Sequence, residues 1–119
     1  MHYKDKPNPT IIVIANYRAP IQNYNLEFPA GLMDEGDTIE GCAKRELLEE
    51  TGLVADKVVY KDYGSWVVST APWIESIISA MTISHVNGDL KQNKERIQNL
   101  EHEEMIKVFE LDFDKTLIE

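Results

Sequence analysis

The sequence predicts an α/β chain of the α+β type, a mixed β-sheet with one amphipathic helix packed on it. Three observations carry this. Residues Thr10 to Tyr17 (TIIVIANY) are β-branched and apolar, the mark of a buried strand. Thr38 to Gly52 has helical spacing with a cap residue at each end. Short apolar runs divided by glycine, proline and asparagine fill most of the rest.

Each element follows in order. Arg18-Ala19-Pro20 ends the first strand, and Gln22 to Asn25 reads as a polar turn. Leu26 to Phe28 is a short extended piece that Pro29-Ala30-Gly31 breaks, and a loop runs from Gly31 to Gly36. The helix starts at Thr38, a good N-cap, with Asp37 and Glu40 placed to favour its positive end. Ile39, Ala43 and Leu47 share its packing face, and Gly52 is a natural left-handed C-cap. Val58 to Ser69 reads as two strand pieces around a bend at Gly64. Ile74 to Val86 is another strand, Asn87-Gly88-Asp89 a turn, and Leu90 to His102 a polar surface loop. Lys107 to Leu111 is a last strand, and Asp112 to Glu119 begins a helix that runs out of chain.

At 119 residues the expectation is one domain over 1–119. A hydrophobic share of 43% argues against disorder. The net charge of −9 argues against a nucleic acid or an anionic membrane as main partner. It suits a small anionic substrate only if metal ions or a few basic groups mediate contact. Cys42 stands alone, so no internal disulfide forms, and no apolar run approaches the ~18 residues that span a bilayer. The start, MHYKDKPNPT, lacks the apolar core of a signal peptide. The expected location is the cytoplasm, with the nucleus as alternative.

The chemistry concentrates in Gly31 to Leu53, which ends in Arg45-Glu46-Leu47-Leu48-Glu49-Glu50-Thr51-Gly52. At ~100° per residue, Glu46, Glu49 and Glu50 project from nearly the same side of the helix. Such like charges destabilise a helix by roughly 0.2–0.5 kcal/mol per pair. That crowding gains nothing unless a cation sits there. Hard divalent ions such as Mg2+ bind such oxygens together with substrate phosphates. The bland alternative is a solvated helix face.

This segment resembles the Nudix box: Gly, five residues, Glu, seven residues, then Arg-Glu-aliphatic-x-Glu-Glu-x-Gly-aliphatic. Gly31, Arg45, Glu46, Leu47, Glu49, Glu50, Gly52 and Leu53 fall in register, and Asp37 replaces the first Glu. Tyr17-Arg18-Ala19-Pro20 followed by Leu26-Glu27-Phe28-Pro29-Ala30-Gly31 is similar to the ADP-sugar pyrophosphatase branch of that family. The resemblance implies a Mg2+-dependent (alternatively Mn2+-dependent) hydrolase. It would cut the diphosphate of ADP-ribose or a related nucleoside diphosphate sugar, giving AMP and a sugar phosphate.

Residue roles follow from the resemblance. Glu46 and Glu50 match metal ligands, Glu49 a ligand or supporting acid, and the Ala30 carbonyl a further ligand. Arg45 matches a salt bridge that holds the glutamates, and Arg18 a phosphate-binding group. Glu27 would take a metal-linked water or a substrate group, or be a plain edge residue. Glu103 and Glu104 lie where relatives place a general base, and spacing favours Glu104; a solvated charge run, EHEE at 101–104, is the alternative. His102 reads as incidental and Cys42 as packing. Trp66, Trp73 and Tyr24 are base-stacking or core aromatics.

Three departures from the branch stand out. Almost nothing precedes Thr10, where relatives carry an additional strand and supply adenine-stacking aromatics. The proline usual after the box is displaced to Pro72, followed by Trp73. The C-terminal helix is cut short. Missing strands would leave a sheet edge open to pairing, so a homodimer is expected beside a small-molecule nucleotide partner. Competing readings are hydrolysis of nucleoside triphosphates or dinucleoside polyphosphates, and a Nudix domain that binds nucleotide without turnover.

Overall fold

The computed structural model describes residues 1–60, 66–67, 78–102 and 104–113, with backbone alone at 66–67 and 78–79. In chain order these form β1 (Thr10–Arg18), a 3-10 turn (Ala19–Ile21), β2 (Asn23–Glu27), α1 (Ile39–Thr51), β3 (Lys57–Tyr60), β4 (Trp66–Val67), β5 (Ile78–Ser79), β6 (Thr82–His85), α2 (Lys91–Lys94) and β7 (Ile106–Asp112). β1 is central in an antiparallel sheet ordered β2-β1-β7; β3 pairs with β6 and β4 with β5. The α+β class is as expected.

Alternation along β1 divides its residues between two faces. Ile12 packs against the core cluster of Leu47, Leu53, Ala55, Val58 and Val86, and Ile14 is fully buried. Each fully buried Leu contributes about 1.5–3 kcal/mol. Further along the same face come Asn16 and Arg18, where apolar packing gives way to polar chemistry. On the other face Tyr17 meets Tyr24 edge-on at 5.5 Å between ring centroids, and Leu26 and Phe109 are exposed.

The helix forms for the expected reasons. The Thr38 side chain accepts from the Gly41 N–H at 3.0 Å, and Gly52 closes the helix at φ 70°, its N–H donating to the Leu48 carbonyl at 2.8 Å. Both ends satisfy backbone groups the helix would otherwise leave open.

Four expectations are corrected. The polar turn at 22–25 is mostly strand: β2 begins at Asn23, because pairing with β1 (Arg18↔Asn23, Tyr17↔Tyr24) overrides its polar composition. Within the expected strand Ile74 to Val86, the described residues hold two strands, β5 and β6, broken at Ala80 and Met81; 74–77 lie outside the described residues. The stretch from Leu90 to His102 is docked rather than loose on the surface. Asn93 is 2% exposed and joins Val54 and Asn87, while Gln98 donates to the Glu50 carbonyl at 2.6 Å. The segment before Thr10 is fastened too: His2 bridges Asn87, and the Tyr3 hydroxyl donates to Glu110 at 2.8 Å. Of the closing helix expected from Asp112 to Glu119, Asp112 instead ends β7, and 114–119 lie outside the described residues, as do Gly64 and Pro72. No helix among the described residues is long and apolar enough to cross a membrane.

Candidate active site

The site forms where α1, the exit of β2 and the start of β7 meet. The loop after β2 turns over the helix. There the Ala30 N–H donates to Glu50 Oε2 at 3.0 Å, and the Leu32 carbonyl accepts from Arg45 at 2.9 Å. Gly31 passes so close to Glu46 that an added Cβ would lie 1.9 Å from its Cδ. The glycine of the motif is therefore required by close approach rather than by a special φ.

The three box glutamates are not equivalent. Glu50 is 4% exposed, whereas the Glu46 and Glu49 side chains are 15% and 34% exposed. Sequence placed all three on a carboxylate side of the helix; the structure turns Glu50 into the interior beside Leu47 and Thr51. Burial pushes its carboxyl up to about 7, against the Ala30 N–H, and the charges of Glu104, Glu46 and Glu27 add to the rise. Burial also raises Glu46, opposed by Arg45 and helped by Glu49 and Glu104. Glu104, half-buried ahead of β7, is thus brought within electrostatic reach of both glutamates, while its Oε2 accepts from the Glu101 N–H at 2.9 Å. Glu103 lies outside the described residues.

Arg45 organises the helix side. It lies 2.6 Å from Glu46, 2.9 Å from Asp37, 3.4 Å from Asp34 and 3.6 Å from Glu49. Its bond holds the Asp37 carboxyl below the usual carboxylate range. Asp37, the one departure from the motif, reaches Arg45 despite its shorter side chain because the Asp34 N–H also grips it, at 3.1 Å. Cys42 is buried against this corner, and burial raises its thiol, which fits the packing role expected of it.

Arg18 and Glu27 meet directly, at 2.9 Å and 3.2 Å from Arg18 Nη2 to the two carboxylate oxygens. Asn16 and Asn25 each donate to Glu27 at 3.0 Å. Sequence reading missed both asparagines; their i, i+2 spacing from Arg18 and Glu27 was the available signal. Tyr24 is 38% exposed under Lys107, whose Nζ lies 4.8 Å from the ring centroid, and His102 is exposed. Trp73 and the Trp66 side chain lie outside what is described.

The donor set suits a hard divalent cation: carboxylates that repel one another, one of them buried with a backbone N–H as its hydrogen-bond partner. Among the described residues, no three His, Cys, Asp or Glu close into a metal cage. Mg2+ does not require one, since it is commonly held by one or two carboxylates, waters and substrate phosphates.

Comparison with known proteins places these residues in context. The model of the NUDIX domain family matches residues 4–116. An ADP-ribose pyrophosphatase of Saccharomyces cerevisiae is 31% identical over 115 residues, 97% of this chain and 48% of the relative. An ADP-sugar pyrophosphatase of Mus musculus is 48% identical over 79 residues, 66% of this chain and 34% of the relative. An RNA pyrophosphohydrolase of Caulobacter vibrioides is 41% identical over 49 residues, 41% of this chain and 28% of the relative. The chain thus spans less than half the length of each of these relatives.

Proposed function

The chain belongs to the NUDIX family, and on that premise we propose that it hydrolyses the diphosphate of ADP-ribose or a related nucleoside diphosphate sugar to AMP and a sugar phosphate. The observation that carries this reading is the buried Glu50 carboxyl, ringed by the charges of Glu104, Glu46 and Glu27. With its carboxyl pushed up to about 7, Glu50 is only partly ionised near neutral pH, and a cation joining it would favour the ionised form. The branch is supported by Leu26-Glu27-Phe28-Pro29-Ala30-Gly31 and by the names of the yeast and mouse relatives.

Members of this family generally use divalent metal ions, and Mg2+ is the one we assign. Glu46, Glu50 and the Ala30 carbonyl would hold it, with Glu49 as a further or supporting ligand. When bound, the ion polarises the diphosphate and lowers the pKa of water. Arg18 takes phosphate oxygens through its guanidinium. Glu104 takes the proton from the attacking water. The water oxygen bonds to one phosphorus, the bridging P–O bond breaks, and the leaving phosphate keeps the bridging oxygen.

The test is product analysis after incubation with ADP-ribose and Mg2+, beside a nucleoside triphosphate. AMP and ribose phosphate are expected from ADP-ribose, with a loss of about 100-fold or more in Glu50→Gln. Robust activity in that variant would sink the proposed metal site. Cleavage of the triphosphate instead would favour the second reading, a hydrolase of nucleoside triphosphates or dinucleoside polyphosphates. The RNA pyrophosphohydrolase relative, which matches over 49 residues, supports that one. Tight binding of ADP-ribose without product would mark a non-catalytic domain.

A further inference from the structure

Four side chains share one face of the β1–β2 pair. Asn16 and Arg18 are two apart on β1, and Asn25 and Glu27 are two apart on β2; Asn16 lies directly opposite Asn25. The side-chain amides of Asn16 and Asn25 and Nη2 of Arg18 converge on Glu27. Its Oε1 accepts from Asn16 at 3.0 Å and Arg18 at 2.9 Å; its Oε2 accepts from Arg18 at 3.2 Å and Asn25 at 3.0 Å. An ionised carboxylate offers about four lone-pair positions. Protein donors occupy them, so the Glu27 carboxylate is held firmly in place.

An ion pair this exposed contributes little to stability by itself. Asn16, which is buried, and Asn25, which is exposed, both hold Glu27 where it meets Arg18. Among the described residues, the guanidinium is gripped through Nη2 alone, and its side chain is 53% exposed. Among those residues its Nε–H and Nη1 N–H groups are not engaged, and each can meet a phosphate oxygen. Glu27 also begins the run to Ala30, which meets Glu50. Three residues of extended chain reach at most about 10 Å, a span one substrate can bridge.

Resting on the phosphate-binding role of Arg18, we infer that Glu27 is a positioning residue. Held by Asn16 and Asn25, it fixes the Arg18 guanidinium in advance and leaves its Nε and Nη1 N–H groups for the substrate diphosphate. Without it the arginine would have to be ordered at each binding event, which weakens binding without touching the chemical step.

A double-mutant cycle on the purified 119-residue chain tests this with ADP-ribose and Mg2+. Glu27→Gln is expected to raise KM about 10-fold with kcat within about twofold, and Asn25→Ala about threefold in the same sense. Arg18→Ala raises KM more, and adding Glu27→Gln to it has no further effect, because the residue acts through Arg18. A loss of kcat from Glu27→Gln that persists in the Arg18→Ala background, or a raised Mg2+ requirement, would overturn the inference while leaving the proposed reaction intact. Should Glu27→Gln fail to fold, Asn25→Ala carries the cycle. For a native chain without turnover, the cycle is read as ADP-ribose affinity by calorimetry with Ca2+. A native chain that neither cleaves nor binds ADP-ribose removes the proposed reaction and the inference together.

Discussion

Glu50→Gln separates the two demands the site makes on one side chain. In the metal-free protein the Glu50 carboxyl sits at about 7 instead of 4.5, chiefly because it is buried. At about 1.36 kcal/mol per pH unit, that rise makes the ionised form about 3 kcal/mol less favourable in the folded chain than in the unfolded one. The sign follows from proton linkage. Between pH 4.5 and 7 the folded state binds more protons at this group, so its contribution to stability falls as pH rises and levels off above 7. Glutamine is neutral, nearly isosteric, and still accepts from the Ala30 N–H. Without metal the variant is therefore expected to be more stable than the native chain by up to about 3 kcal/mol at pH 8, or about 10 °C in Tm. The two converge toward pH 4.5. Thermal melts with EDTA across this range provide the assay, and the difference between the chains cancels the other carboxylates. With Mg2+ the order is expected to reverse at pH 8, because an ion bound to the folded state stabilises the native chain alone. A pH-independent difference without metal, or a less stable variant at pH 8, would refute the account of the buried carboxyl.

Two glycine substitutions are expected to fail differently. Gly31→Ala puts a methyl group 1.9 Å from Glu46 Cδ, so that carboxylate must move while an exposed loop absorbs the change. Displacement of about 1 Å at a reacting centre lowers kcat about 100-fold, with stability within about 0.5 kcal/mol of native by urea titration. Gly52→Ala acts on stability instead. Its φ of 70° is left-handed, and the Cβ would lie 2.6 Å from the Ile97 backbone. A loss of more than about 2 kcal/mol is expected in the same titration.

What the sequence revealed was mostly local. Thr38 and Gly52 act through bonds within one turn, so the ends of α1 are readable from residue type alone. β1 is readable because a continuous β-branched run has few other uses. The parts that escaped depend on partners far along the chain. Asn93 bonds Val54 and Gln98 bonds Glu50, 39 and 48 positions away, and neither residue looks other than polar and exposed in its own neighbourhood. β2 is polar and owes its form to the strand beside it. The motif located the box glutamates, but helical spacing could not separate Glu50 from Glu46 and Glu49. That separation comes from the sheet and the 98–99 segment closing over the end of the helix, where Asn99 donates to the Glu49 carbonyl at 2.8 Å.

The two arginines show how the same residue type is directed to different work. Arg45 lies within 4 Å of Asp34, Asp37, Glu46 and Glu49, and also donates to the Leu32 carbonyl. One positive charge against four negative ones leaves the helix side acidic. Arg45 therefore fixes where Glu46 points without neutralising the cluster, and both amino groups of its fork are occupied. Among the described residues Arg18 meets one carboxylate, which two asparagines already share, and it does so through Nη2 alone. A diphosphate approaching a chain of net charge −9 is repelled by most of what it meets. On the proposed reaction it needs a cation with unspent donors, and that is the part proposed for Arg18.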